Sequence, residues 1–333
     1  DGIITLYSAG YAKPFIVDTR DLDKKDEEKN TTFALIRGVC RKLKDMGYTI
    51  GGFNAAVTSR VLGGSGLSSS AAFEVLLVCI LDGLYNDSII DGVTRAKISQ
   101  WVENEYFGKP SGLMDQSACS IGGLVGIDFK NADPKIETYS FDFEARGFNV
   151  VVLATNSSHD DLTDEYASIP AEMKAVAAAL GGKVLRQFKV QQLIEKLPEV
   201  REKTSDRAVM RALHYYDENE RVKACYQAIE EGNLDAFLQN IILSGESSWK
   251  MLQNLYVGGK CEQSLALACA LSERMLKGSG AWRVHGGGFA GTILAFVPHY
   301  KLDAYVQQMD AVFGKGACTV LGIRPVGAKK VEL

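Results

Sequence analysis

The stretch Gly63-Gly64-Ser65-Gly66-Leu67-Ser68-Ser69-Ser70-Ala71 lies between a strand-like segment and an apolar helical one. Glycines let the backbone approach a ligand closely, and a helix start offers free amides and the positive end of its dipole to an anion. Three serines on the first turn add hydroxyls that can contact phosphate oxygens or a magnesium ion, so the segment has the chemistry of a phosphate-binding loop. The plainer alternative is a glycine-rich turn capped by serine. A P-loop of the G-x-x-x-x-G-K-[ST] type is excluded because its lysine is missing. A dinucleotide fingerprint is half matched: Gly64-x-Gly66 has Ser69 where a third glycine would stand.

Phosphoryl transfer also needs carboxylates, one for a metal ion and one beside the attacking hydroxyl. Residues 103–116 read E-N-E-Y-F-G-K-P-S-G-L-M-D-Q and supply Glu103 and Asp115. By residue type alone, Glu103 is a helix-surface carboxylate, and Asp115, near a helix start, is stabilised by the dipole and free amides. Gly286-Gly287-Gly288 between two strands is a flexible hairpin turn on the same terms, and Tyr166 an aromatic at a helix start. Competing signals are weak. Ser247-x-x-Lys250 has the spacing of a penicillin-binding nucleophile, but no S-D-N or K-T-G accompanies it and Ser247 falls in an expected helix. His159 beside Asp160 is a turn, because a catalytic triad needs a nucleophile within reach. With no C-x-x-C, no H-E-x-x-H and 4 histidines, a structural zinc site has little to work with.

The elements that must position these groups follow from periodicity. Strands are expected near 4–8, 14–17 and 52–58, and a helix capped by Asn30 carries Phe33, Ile36, Val39, Leu43 and Met46 before Gly47 ends it. The charged run 21–30 is a solvated loop. Further helices are expected from Ala72 to Leu84, near 94–106 and from Leu113, then a strand at 123–129. From residue 148 the order is strand, four helical stretches (170–180, 206–231, 234–253, 261–276), two strands flanking the triple glycine, a helix over 301–313 and a closing strand at 318–323. That order is a split βαβ arrangement with extra helices in the first crossover.

The 333 residues predict two domains, and 46% hydrophobic with 23% charged residues describes a folded globular chain. A net charge of −4 favours neither nucleic acid nor an anionic membrane as partner. Val75 to Leu81, the longest obvious apolar run, is far short of the roughly 20 residues of a membrane-spanning helix. No signal peptide is recognisable, and 7 scattered cysteines suit reduced core thiols, so the cytoplasm is the expected compartment.

G-L-S-S-S-A-A entering a helix resembles the second motif of the GHMP small-molecule kinases, in the form galactokinases carry. The stretch ending G-L-M-D-Q is similar to the galactokinase G-[IL]-M-D-Q, and G-A-W-R-V-H-G-G-G-F-A-G-T-I-L-A-F (280–296) resembles the third motif, R-M-T-G-A-G-F-G-G. Arg211-Ala-Leu-His214 and Ser244-Gly-Glu-Ser-Ser248 also resemble galactokinase helices, so the similarity covers nearly the whole chain. It implies an α+β, two-domain GHMP kinase fold: a ribosomal protein S5 domain 2-like, ATP-binding N-terminal domain (1–147) and a ferredoxin-like βαββαβ C-terminal domain (148–333). It also implies ATP and Mg2+, with Ser70 and Glu103 holding the metal ion and Gly64, Ser65, Gly66, Leu67, Ser68, Ser69 and Ser70 around the nucleotide phosphates. Gly286, Gly287 and Gly288 would close over those phosphates. Asp115 would face the anomeric hydroxyl as the catalytic residue, either taking its proton or orienting the sugar, with Gly112 and Tyr166 beside the sugar. The implied partners are a sugar and ATP, with no nucleic acid or membrane, and the expected state is a monomer.

Two departures stand out. His285 replaces the usual threonine of the third motif and Gly287 the usual alanine, which keeps backbone contacts but puts any threonine hydroxyl contact in doubt. The family's first motif, resembling G-R-x-N-L-I-G-E-H-x-D-Y, has no counterpart in 1–333, and the chain opens on Asp1 in an apolar run. The expectation is a further segment upstream, with a short natural chain as the alternative. Three functions therefore stand: galactose 1-kinase, a kinase of the same fold for N-acetylgalactosamine or another sugar, and a galactokinase-like sensor without turnover.

Overall fold

A computed structural model describes residues 1–59, 68–109, 111–131, 133–155 and 162–331. The chain divides into two units, Asp1–Ser140 with Arg324–Leu333, and Phe141–Ile323. Where the sequence places the division at 147/148, Phe141 and Phe143 move it forward. Both are buried, and their rings lie 6.2 and 5.2 Å from that of Phe237, deep in the second unit. The segment 324–331 returns to the first unit.

In the first unit the central strand β1 (Ile3–Ser8) pairs antiparallel with β2 (Phe15–Asp18) and parallel with β3 (Phe53–Val57). The parallel pairing requires a crossover, which α1 (Thr32–Asp45) provides. Alternation turns Ile4, Leu6 and Val17 onto Leu35, Ile36, Val39 and Leu43 of α1, forming one core. Thr31 rather than Asn30 is the N-cap of α1, since Asn30 takes a left-handed conformation (φ +61°) one residue earlier. Next come α2 (Ser69–Tyr85), α3 (Gly92–Val102), a π-helical turn at 103–107, α4 (Met114–Ile121) and the hairpin β4 (Leu124–Asp128) with β5 (Lys135–Tyr139). The expected helix at 94–106 is thus α3 followed by a wider turn, and β5 is an additional strand.

The second unit opens with β6 (Phe148–Ala154) and α5 (Thr163–Ala179). Short α6 (Val190–Glu195) and α7 (Leu197–Lys203), which periodicity does not single out, precede α8 (Asp206–Glu230). Then follow α9 (Leu234–Ser247), a π-helical turn at 248–252, α10 (Ser264–Leu276), β7 (Ala281–His285), β8 (Thr292–Pro298), α11 (Leu302–Phe313) and β9 (Cys318–Leu321). The sheet order is β7-β8-β6-β9 with every neighbour antiparallel. This is the split βαβ topology, with α5–α10 in the first crossover. Val151, Leu153, Ile293 and Ala295 turn one sheet face onto Leu265, Cys269, Tyr305 and Met309. No helix among the described residues is long and apolar enough to cross a membrane.

Candidate active site

In the first unit, α2 begins just after Ser68, whose backbone is left-handed (φ +52°, ψ +60°). A non-glycine residue holds that conformation at a cost of about 1–2 kcal/mol, so other contacts must fix it. One is visible: the Ser68 hydroxyl donates to Oδ2 of Asp115, in the first turn of α4. Two residues on, the Ser70 hydroxyl donates to Oε1 of Glu103 at 2.8 Å. Two serines at one helix start therefore each meet a different carboxylate.

Glu103 is only 2% exposed, at the point where α3 widens into the π-helical turn. The backbone amides of Gly108 and Lys109 both donate to its carbonyl at 3.0 Å, which ends the turn there. Its second carboxylate oxygen accepts from Nε2 of Gln116 at 2.6 Å, and the Lys109 ammonium lies 3.7 Å from Oε1. Gln116 also reaches the Ser111 hydroxyl at 3.3 Å, and the Asn104 side chain both accepts from the Ser111 amide (2.6 Å) and donates to its carbonyl (3.2 Å). Ser111–Gly112 is thus pinned by side chains from two elements. A Cβ on Gly112 would meet no described atom within 4 Å, so this glycine leaves open space beside the backbone.

Glu74, one turn after Ser70 on α2, is fully buried, and among the described residues neither of its carboxylate oxygens has a partner. Burial, and then the negative Glu103, push its carboxyl up to about 9.

Among the described residues no group of three or more His, Cys, Asp or Glu side chains is placed to hold a metal ion. A hydroxyl and one buried carboxylate suit Mg2+, which binds through one or two carboxylates and fills its other positions with water and phosphate oxygens. Ser70 and Glu103 fit that requirement.

In the second unit, Tyr166 stands in the first turn of α5 and donates its hydroxyl to the Gly288 carbonyl at 2.9 Å. Its ring meets Phe289 edge-on at 5.5 Å. The triple glycine opens the β7–β8 connection. A Cβ on Gly287 would come within 2.6 Å of the Tyr166 ring, and one on Gly288 within 2.1 Å of the Asn254 carbonyl oxygen. Asn254, buried just after the π-helical turn at 248–252, donates to the Gly287 carbonyl at 3.0 Å. Arg211, 1% exposed, ties α5 to α8 and to that turn through Glu172 (2.9 Å), Ser168 (2.9 Å) and the Leu252 carbonyl (3.1 Å).

Ser68, Ser69, Ser70, Glu103, Gly112 and Asp115 all belong to the first unit, and Tyr166, Gly286, Gly287 and Gly288 to the second. Gly64, Ser65, Gly66 and Leu67 lie outside the described residues, as do His159 and Asp160. Ser247, set aside as a nucleophile, is buried and pairs with Nδ1 of His214 at 2.9 Å. Asn104, Gln116 and Asn254 join these networks without any local sequence pattern that marks them. Glu74 carried a signal, a carboxylate inside an apolar helix four residues after Ser70 and so on the same face.

Residues 34–123 match the family model of the GHMP kinases N terminal domain. The galactokinase of Streptomyces coelicolor is 30% identical over 317 residues, covering 94% of this chain and 78% of that protein. The galactokinase of Clostridium tetani is 27% identical over 91% of this chain and 74% of its own length. Among solved structures, Lactococcus lactis galactokinase complexed with galactose shares the fold with a TM-score of 0.79 at 22% identity, over 99% of this chain and 84% of that one. L. major mevalonate kinase in complex with R-mevalonate shares it more distantly, with a TM-score of 0.60 at 15% identity over 98% of this chain and 85% of the other. With motifs, topology and relatives in agreement, the chain belongs to the galactokinases of the GHMP kinase superfamily.

Proposed function

We propose that this chain transfers the γ-phosphoryl group of ATP to the anomeric hydroxyl of galactose, giving galactose 1-phosphate and ADP. The observation that carries this reading is the start of α2, where Ser70 meets Glu103 and Ser68 meets Asp115. Such a reaction is governed by placing charge correctly, and this arrangement separates two carboxylates by role. The galactokinase relatives support the choice of sugar.

Ser70 and Glu103 would hold Mg2+, which when bound neutralises charge on the nucleotide phosphates. The amides at the start of α2, with Ser68 and Ser69, would receive phosphate oxygens, and we assign the same role to Gly64, Ser65, Gly66, Leu67 and the backbone of Gly286, Gly287 and Gly288. Asp115 is the catalytic residue, with Gly112 and Tyr166 at the sugar. As the sugar oxygen bonds to the γ-phosphorus, the bond from that phosphorus to the bridging oxygen breaks and ADP leaves with its electron pair. The hydroxyl proton passes to Asp115 or, where Asp115 only orients the sugar, to water.

The test is ADP release that depends on galactose, measured against a panel that includes N-acetylgalactosamine. Asp115→Asn is expected to lower kcat by about 10²-fold or more while nucleotide binding persists. Retained turnover would sink the assignment of Asp115. Glu103→Gln should raise the Mg2+ concentration needed for half-maximal rate by about tenfold or more. An unchanged Mg2+ titration would remove Glu103 from the metal site.

A further inference from the structure

The β7–β8 turn of the second unit is clasped by one residue from outside the hairpin. The side-chain amide of Asn254 donates to the Gly287 carbonyl at 3.0 Å, and the Asn254 backbone carbonyl accepts from the Phe289 amide at 2.5 Å. Between these two points Gly288 passes so close that a Cβ would stand 2.1 Å from the Asn254 carbonyl oxygen. In a trans peptide the C=O of one residue and the N–H of the next point to opposite sides of one plane. A bond to the Gly287 carbonyl therefore sets the direction of the Gly288 amide. The following peptide is held at both ends, its carbonyl by the Tyr166 hydroxyl and its amide by Asn254.

The turn needs such restraint. Gly286, Gly288 and Phe289 all have positive φ, at +74°, +85° and +59°. For Phe289 that conformation is intrinsically unfavourable, so its surroundings must hold it. Asn254 itself is 2% exposed, and among the described residues its Oδ1 has no donor. A buried acceptor without a donor destabilises a fold, so the contribution of this side chain lies in what it donates. Its place is fixed from behind. Gln253 is left-handed (φ +59°, ψ +47°) and its amide donates to the Ser248 carbonyl at 2.8 Å, while Arg211 holds the Leu252 carbonyl.

We propose that Asn254 is a positioning residue for phosphoryl transfer, holding the amides of the triple-glycine turn in the direction that receives the nucleotide phosphates. The inference rests on the reading of Gly286, Gly287 and Gly288 as phosphate contacts. Amides fixed before the ligand arrives lose little freedom on binding, so the clasp acts on the nucleotide rather than on the sugar.

Asn254→Ala removes the donor, and Asn254→Asp keeps the shape but sets an acceptor against the Gly287 carbonyl. Both are expected to weaken calorimetric binding of a non-hydrolysable ATP analogue with Mg2+ by about tenfold. The ATP KM of galactose-dependent ADP release should rise about as much, with the galactose KM little changed. A lower melting temperature with wild-type nucleotide affinity would make Asn254 a structural residue only, and wild-type binding by Asn254→Asp would deny the donor its part. Either result overturns the proposal. Gly288→Ala disturbs the same turn without removing the Asn254 side chain. If it weakens binding of the analogue and the Asn254 variants do not, the proposal fails while the phosphate reading stands. If none of the three weakens it, the phosphate reading fails and the proposal with it. Should Asn254→Ala not fold, nuclear magnetic resonance of the wild-type protein with isotope-labelled asparagine decides. The Asn254 side-chain amide is expected to exchange slowly with solvent and to shift when the analogue binds, and fast exchange or an unmoved signal overturns the proposal.

Discussion

Gly287 has no room for a side chain, since the first carbon added would stand 2.6 Å from the Tyr166 ring. Either the ring or the glycine turn must move, and a small misplacement at a reacting centre can cost about 10²-fold in rate. Gly287→Ala should therefore lower kcat/KM for galactose by roughly ten- to a hundredfold in steady-state kinetics, with the far-ultraviolet circular dichroism unchanged. Tyr166→Phe tests the same contact more gently, removing a hydrogen bond to Gly288 worth about 1 kcal/mol. If neither variant alters galactose kinetics, Tyr166 has no part at the sugar. The replacement of the family's alanine by Gly287 was legible in the sequence. That Tyr166 fills the space a methyl would take was not, because the two residues are 121 positions apart in the chain and meet only through folding.

At the scale of elements, α3 delivers Glu103, and its start is fixed by Asp91. One Asp91 oxygen accepts from the amides of Val93 (2.9 Å) and Thr94 (3.0 Å), the other from the Thr94 hydroxyl (2.7 Å). Those bonds, the Thr94 hydroxyl first, hold the Asp91 carboxyl below its usual range. A carboxyl lowered in the folded state stabilises above its unfolded value of about 3.9 and loses that contribution as pH falls through the folded one. Asp91→Ala should cost about 1 kcal/mol in urea unfolding at neutral pH, and Asp91→Asn much less. The difference between wild type and Asp91→Asn should shrink on acidification below about pH 4. A difference independent of pH would deny the carboxylate its capping role. In the second unit, Arg211 is the corresponding brace, linking α5, which carries Tyr166, to α8 and the turn before Asn254. Periodicity revealed that α3 and α5 exist, but a buried Arg–Glu pair between helices leaves no periodic trace.

For the molecule as a whole, the chain's return after β9 matters most. Segment 324–331 binds the end of α4 and the start of β4 through Gly123 to Arg324 (2.8 Å), Gly327 to Ile121 (2.8 Å) and Ala328 to Cys119 (3.1 Å). A Cβ on Gly327 would stand 2.1 Å from the Ser120 carbonyl oxygen, so the approach is too close for a side chain. Truncation after Ile323 should destabilise the first unit by on the order of 3 kcal/mol, about 1 kcal/mol for each backbone bond. Hydrogen exchange should quicken in α4 and around Gly123 while the β6–β8 amides keep their protection. Equal loosening of both sheets would show that the segment serves the second unit as well. A linear division of the sequence hides this, because membership of a compact unit depends on contacts rather than order along the chain.

The sequence by itself determined the family and most of the order of elements, with β5, α6 and α7 left unmarked. Glycines and serines ahead of a helix, the G-L-M-D-Q run, and apolar periods of two and of three to four are all properties of neighbouring residues, and local backbone geometry fixes what they form. The tertiary structure alone decided the partners. Ser68 finds Asp115 across 47 positions, and Ser70 finds Glu103 across 33. Such pairs depend on the angle and register at which α2, α3 and α4 pack. Those follow from the shapes of many buried side chains acting together, and no spacing within one segment encodes them.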